Sequence, residues 1–131
     1  MAQPATPVLA PVDYTALNEL ITLLREAQTA FDLGLEDLVM VLTIMVGNVQ
    51  RWHRATQPSY TMSLIPMSQS AVSRATGLAR ETARRRVQRL HQRGLVALDR
   101  RGAVTLDPHF ARSFIDHKAL RRLLALTDQG E

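Results

Sequence analysis

Apolar residues recur at helical spacing between Tyr14 and Phe31. Leu17, Leu20, Ile21, Leu24 and Ala27 share one side, with Glu19, Arg25 and Glu26 elsewhere. The pattern predicts an amphipathic helix with Asp13 as N-cap, ended by Asp32-Leu33-Gly34. A second helix is predicted over Leu35–Arg54. There Leu38, Val39, Val41, Leu42, Ile44, Met45, Val46 and Val49 wrap most of the circumference. A helix apolar on nearly all sides needs cover on nearly all sides. Two compatible readings follow: a central core helix within the protomer, or a helix covered in part by a partner chain.

The pattern then shortens. Thr56–Tyr60 reads as a linker around Pro58. Thr61–Met67 reads as a short strand that pairs with a later hairpin, with Pro66 confining it to an edge or an end. Ser68 is a good N-cap for a helix over Gln69–Thr76. A Gly77-Leu78 turn and a helix from Arg80 through Leu90 follow. Leu95–Leu98 and Ala103–Leu106 are β-type runs joined by Asp99-Arg100-Arg101-Gly102, a hairpin signal with Gly in the turn. Asp107 and Pro108 supply the N-cap and first position of one last helix, whose broad apolar face carries Phe110, Phe114, Ile115, Ala119, Leu120, Leu123 and Leu124.

The expected fold is mainly α with a small β-hairpin. The expected organisation is a disordered or extended tail over 1–12, which holds Pro4, Pro7 and Pro11; N-terminal helices over 13–57 that dimerise; a compact module over 58–107; and a C-terminal helix and tail over 108–131.

Composition sharpens the module's role. The chain has 131 residues, room for one core. It has no cysteine, which removes disulfides and thiolate zinc sites and fits a reducing cytoplasm. Met1–Val12 lacks the charged start and long apolar run of a signal peptide, and Leu38–Gly47 is too short to span a bilayer, so no membrane partner is expected. Residues 1–66 carry three Arg and six acids, a net of −3. Residues 67–131 carry thirteen Lys/Arg and six acids, a net of +7. Nearly all these cations are Arg, whose planar fork of donors matches phosphate oxygens and the O6/N7 edge of guanine. Such an excess attracts a polyanion, and the attraction weakens steeply with salt.

In the basic helix, Ala83, Val87 and Leu90 form one inward stripe. Arg80, Glu81, Arg84, Arg85, Gln88 and Arg89 lie off it, with Arg86 at its border. Arg80, Arg84, Arg85, Arg86, Arg89 and Arg93 crowd one helix with only Glu81 on it to compensate, a repulsion that phosphate would relieve. Val72, Ala75 and Leu78 are placed to pack on Ala83 and Val87 and fix the angle between the two helices.

Residues 72–82, Val-Ser-Arg-Ala-Thr-Gly-Leu-Ala-Arg-Glu-Thr, followed by Leu90-x-x-x-Gly94-Leu95-Val96, resemble the winged helix-turn-helix of bacterial transcription regulators. The resemblance covers about residues 61–107. The run from Arg80 to Arg85 is similar to the recognition helix of the Crp/Fnr family. The ending Leu-x-x-x-Gly-Leu-Val is also similar to MarR-like and GntR-like regulators, and the flanking helices resemble a small MarR-like dimer. The resemblance implies that Arg80, Glu81 and Arg85 reach base edges and that Thr82 contacts phosphate. Arg grips guanine bidentately, and Glu accepts from cytosine N4. Arg84, Arg86 and Arg89 are assigned to phosphate, Arg100 and Arg101 to a wing on the backbone or minor groove, and Arg74 and Ser68 to positioning the first helix over the backbone. Ala79 departs from the family in lacking an N-cap side chain. The chain has no room for a cyclic-nucleotide-binding barrel, so that effector does not carry over.

Other chemistry is thin. His53, His91, His109 and His117 have no ligand-pair spacing, and no nucleophile triad, phosphate loop or paired acids stand out. No metal, cofactor or enzymatic activity is therefore expected. Trp52, His53 and the residues Met40, Met45, Met62 and Met67 fit core packing first and an effector pocket second. The sequence thus leads to a cytoplasmic, nucleoid-associated regulator that binds double-stranded DNA as a homodimer, with residues 79–93 in the major groove and a possible role for RNA polymerase contact. The alternative is a winged-helix protein-interaction adaptor without specific DNA binding.

Overall fold

The computed structural model describes residues 14–55 and 64–127, with side chains described at 14–49 and 64–126. The tail, Asp13 and the linker of the sequence analysis lie outside the described residues. So do the side chains of Trp52 and His53, and Met62. The described chain is mainly helical with one two-stranded antiparallel hairpin. The order is α1 (Thr15–Phe31), α2 (Leu35–Ala55), α3 (Gln69–Thr76), α4 (Arg80–Gln92), β1 (Val96–Leu98), β2 (Val104–Leu106), α5 (Pro108–Asp116) and α6 (Lys118–Thr127).

One core runs through every element. Leu38, Val41 and Ile44 of α2 are fully buried at its centre, with Val72 from α3, Val87 and Leu90 from α4, Val104 and Leu106 from β2, and Phe114 from α5. Phe31 closes its end, with its ring 5.6 Å from Phe110, 5.1 Å from Phe114 and 5.3 Å from His117. Helix α2 is the central core helix of the chain, yet Leu35, Val39 and Val46 along it remain exposed. The all-round apolar pattern is therefore only partly used inside one chain.

Between α1 and α2, Asp32 adopts the left-handed conformation at φ 52°, and the Leu33 N–H donates to the Gln28 carbonyl at 3.0 Å. Among the described residues, the segment before α3 pairs with β2 through Met67 alone, with Met67 N–H to Val104 O at 2.9 Å and Val104 N–H to Met67 O at 2.7 Å. The lateral order is thus Met67, β2, β1, with Val96 opposite Leu106 and Leu98 opposite Val104.

Asn48 explains why that pairing stops at one rung. Leu106 lies two residues past Val104, so its N–H points to the same side of β2. There it meets Asn48 Oδ1 at 3.1 Å, while Asn48 Nδ2 donates to the carbonyls of Ile65 at 2.8 Å and Val104 at 3.1 Å. The Ile65 N–H reaches the Asn48 carbonyl at 3.4 Å. The buried amide of an α2 residue is wedged where a second rung would form. Beside it, Gly47 leaves room for Met67, whose Sδ lies 2.5 Å from where a Cβ would stand.

The single last helix is corrected to two. Asp107 caps α5, its side chain accepting from the Phe110 N–H at 3.0 Å, with Pro108 in the first turn. The helix then ends at Asp116. His117 turns extended at ψ 139°, and its Nδ1 accepts from the Ala119 N–H at 3.1 Å, capping α6. The break lets α6 fold back on α1, where Arg122 pairs with Glu19. No Gly or Pro marks it; a ring nitrogen takes the role that a Ser or Asp side chain usually fills.

Candidate nucleic-acid interface

Helices α3 and α4 are joined by the turn Gly77-Leu78-Ala79. Ser68 caps α3 by accepting the Ala71 N–H at 3.0 Å. Gly77 ends α3 at φ 75°, and its N–H donates to the Ser73 carbonyl at 2.9 Å. Positive φ is where a Cβ is penalised, which accounts for glycine here. Side chains then staple the turn: Ser73 Oγ donates to the Leu78 carbonyl at 2.6 Å, and Thr76 Oγ1 to the Val72 carbonyl at 2.8 Å.

Helix α4 begins at Arg80 with Ala79 at its N-cap and no side-chain cap. Ala83, Val87 and Leu90 form the buried stripe that the spacing predicts. The outer side carries Arg80, Glu81, Thr82, Arg84, Arg85, Gln88 and Arg89, all exposed. The elements that bring the site residues together are α3, α4 and the hairpin. Arg74 is exposed in the last turn of α3, and Arg80 reaches back to Ser70 Oγ at 3.2 Å.

The arginines divide by partner. Arg84 grips Glu81 with two bonds, Nε to Oε2 at 3.0 Å and Nη2 to Oε1 at 2.6 Å, and Arg85 adds Nε to Oε1 at 3.3 Å. The Arg84 bonds, with its charge and those of Arg85, hold the Glu81 carboxyl down at about 2. Desolvation of the carboxyl, second in size only to the Arg84 hydrogen bonds, pulls the other way. Arg85 keeps 72% of its side chain exposed despite the pair.

Arg86 is a correction to the phosphate-facing set. Its guanidinium points inward to the start of α2, bonding Glu36 and lying 3.8 Å from Asp37 Oδ1, with 21% of its side chain exposed. Arg93 also leaves the outer face. Its Nη2 donates to the Asp32 carbonyl at 2.8 Å, closing the end of α1, with the Asp32 carboxylate at 4.0 Å. Acids of the α1–α2 region thus compensate part of the basic helix, and Glu81 is not alone. By contrast, Arg74, Arg80, Arg89, Arg100 and Arg101 have no acidic partner among the described residues. Of the remaining cations, Arg121 pairs with Asp116 at 3.1 Å, within the C-terminal helices.

Arg100 and Arg101 sit exposed at the hairpin tip, in a tightly built turn. Gly102, at φ 79°, donates to the Asp99 carbonyl at 2.9 Å, and Asp99 Oδ1 accepts the N–H groups of Arg101 at 2.8 Å and Ala103 at 2.9 Å. Gln69 at the start of α3 donates Nε2 to the Gly102 carbonyl at 3.0 Å.

Among the described residues there are two apolar hollows, the first against the α3–α4 turn and the second beyond it. One, about 230 Å³, is lined by Leu35, Val39, Met40 and Leu78 beside the Arg86–Glu36 pair. The other, about 530 Å³, lies between α1, α2 and α6 and is lined by Leu17, Leu20, Leu42, Met45, Val46 and Leu124 among others. Met40, Met45 and Met67 are core residues. Among the described residues, no group of three His, Asp or Glu side chains could hold a metal, and no helix is long and apolar enough to cross a membrane.

Sequence reasoning missed Gln69, Asn48, Glu36, Asp37 and the inward turn of Arg93. Their partners lie 17 to 62 residues away, and no local spacing announces them. No family model, curated protein or solved structure matches the chain.

Proposed function

We propose that the chain is a winged helix-turn-helix regulator that binds double-stranded DNA as a homodimer, with α4 in the major groove and the hairpin as the wing. One observation carries this reading. Five of the seven arginines without an acidic partner among the described residues, Arg74, Arg80, Arg89, Arg100 and Arg101, gather with the exposed Arg84 and Arg85 on α3, the outer side of α4 and the hairpin tip; the other two, Arg25 and Arg112, lie on α1 and α5. A helix of thirteen residues with a buried stripe behind it can enter a groove as a rigid rod.

Within this reading Arg80 and Arg85 read guanine. Glu81 either accepts from cytosine N4 or holds Arg84 and Arg85 in register. Thr82, Arg84 and Arg89 bind phosphate, Ser68 and Arg74 set α3 over the backbone, and Arg100 and Arg101 follow the neighbouring backbone or minor groove. Arg86 is reassigned from phosphate to the anchor between α4 and α2. The occupied site would block RNA polymerase or present the protein to it, in the cytoplasm on the nucleoid.

The homodimer rests on a segregated surface. The exposed large hydrophobics among the described residues are Tyr14, the N-cap of α1, and Leu17, Leu20, Ile21, Leu35, Val39, Val46 and Leu124 of α1, α2 and α6, and none belongs to α3, α4 or the hairpin. An apolar surface on elements other than the basic ones suits two copies joined away from the DNA, with their α4 helices about 34 Å apart on one DNA face. The same face also favours the second reading, an adaptor whose partner is another protein.

Footprinting of the bound protein across a genome tests the choice, with Arg80→Ala/Arg85→Ala as the comparison. Discrete palindromic sites that vanish in the variant are expected. Occupancy unchanged by the substitutions would overturn the base-reading role. Sedimentation should give a dimer at micromolar concentration; a monomer would overturn the dimer.

A further inference from the structure

We propose that Gln69 is a positioning residue that holds the hairpin tip, and so Arg100 and Arg101, at a fixed place relative to α3 and α4. The proposal rests on the DNA-binding reading. It arises from a contact that the reading did not need.

The hairpin is held to the body along its strands and at its tip. Met67 and Val104, the β2 residue next to the turn, exchange both backbone hydrogen bonds, and the Asn48 amide takes the position beyond them toward Leu106. These bonds hold β2 and leave the 99–102 turn itself untied to α3. The tip carries an attachment of its own. Gln69, the first residue of α3, donates Nε2 to the Gly102 carbonyl at 3.0 Å, across 33 residues of sequence.

The contact is closely fitted. Gly102 sits at φ 79°, and a Cβ there would stand 3.2 Å from Gln69 Nε2, so a larger residue would press on the tether. The Gly102 peptide is also tied to Asp99, which itself holds the N–H groups of Arg101 and Ala103. The tip is therefore stiff, and moving Gly102 moves Arg100 and Arg101 with it. The amide orientation follows from chemistry: reversed, Oε1 would face the Gly102 carbonyl oxygen, acceptor against acceptor. As it stands, Oε1 is buried with no hydrogen-bond partner among the described residues. A side chain that keeps one acceptor unpaired and one donor on the hairpin is placed for that donor. Both arginine side chains at the tip lack an acidic partner, so nothing else among the described residues fixes their direction by charge.

The test is a double-mutant cycle on duplex DNA, using the sequence that the wild-type protein enriches from a random pool. Wild type, Gln69→Leu, Arg100→Ala/Arg101→Ala and the combined variant are titrated at several salt concentrations. Thermal unfolding confirms that each is folded. Each phosphate contact adds about 0.9 to the slope of log affinity against log salt, or about fivefold in affinity at 0.15 M salt. Loss of both tip arginines should therefore cost up to about 30-fold and flatten the slope by about 1.8. Gln69→Leu, which keeps the bulk and removes the donor, should lose about tenfold and flatten the slope. In the Arg100→Ala/Arg101→Ala background it should cost nothing further, because the residues it positions are gone. A purely structural role would give the same loss in both backgrounds, and that result overturns the proposal. So does a Gln69→Leu protein with wild-type affinity and slope. A wild-type protein that enriches no duplex and binds none overturns the underlying DNA-binding reading itself, a failure distinct from either of these.

Discussion

Replacing Asn48 with alanine should be among the most damaging single changes in the chain. The residue is fully buried, and its amide makes three hydrogen bonds to backbone groups of Ile65, Val104 and Leu106. After truncation the Val104 carbonyl keeps its bond from Met67, but the Ile65 carbonyl and the Leu106 N–H lose the amide. A buried polar group left unpaired costs about 1–3 kcal/mol. Two such groups put the loss at about 2–6 kcal/mol, a large part of the roughly 5–15 kcal/mol that holds a typical domain together. At about 4 °C per kcal/mol for a chain of this size, the melting temperature should fall by about 8–24 °C. Asn48→Asp gives a second reading of the same geometry. A carboxylate there would face the Ile65 and Val104 carbonyls without a proton to donate, so this variant should be more stable in acid than at neutral pH. Urea unfolding followed by circular dichroism measures both. An Asn48→Ala loss below about 1 kcal/mol, with an unchanged denaturant slope, would refute the wedge as what joins α2 to the hairpin.

Two further predictions concern the basic helix. Arg86→Ala should cost about 1–3 kcal/mol, since it strips the guanidinium from the partly buried Asp37, whose Oδ1 has no hydrogen bond. The salt slope of DNA binding should not change, and a slope flattened by about 0.9 would return Arg86 to the phosphate-binding set. Glu81, held at about 2 against an ordinary 4.5, contributes stability that is fully present above pH 4.5 and lost as pH falls through about 2. Acid unfolding of Glu81→Gln should lack that part of the pH dependence; identical acid profiles would contradict the Arg84 and Arg85 contacts.

How much of this was legible in the sequence depends on how local the signal is. Ser68, Gly77 and Asp107 act on their own turns of chain, so the start of α3, its end and the start of α5 could be read directly. The stripe Ala83, Val87 and Leu90 was legible because helical spacing alone decides it. The break at His117 was not, because a histidine ring acting as a cap leaves no pattern of small polar residues. The direction of Arg86 was not legible either. A residue on the border of an apolar stripe can turn either way, and Glu36 and Asp37, which decide it, lie some 50 residues earlier. Asn48 stands among apolar residues with nothing local to assign it a partner; its role needs β2 beside it. The candidate site was therefore readable as a set of exposed arginines, while the sorting of those arginines into anchors and free cations required the fold.

The most direct measurement of the central claim compares equilibrium binding of an enriched duplex with that of a scrambled duplex at fixed salt, for wild type and for Arg80→Ala/Arg85→Ala. A protein that reads sequence through α4 should prefer the enriched duplex by about 10³-fold or more. The variant should keep most of its affinity for the scrambled duplex and lose the preference. Equal affinity of the wild-type protein for both duplexes, or a preference that survives the two substitutions, would contradict the account.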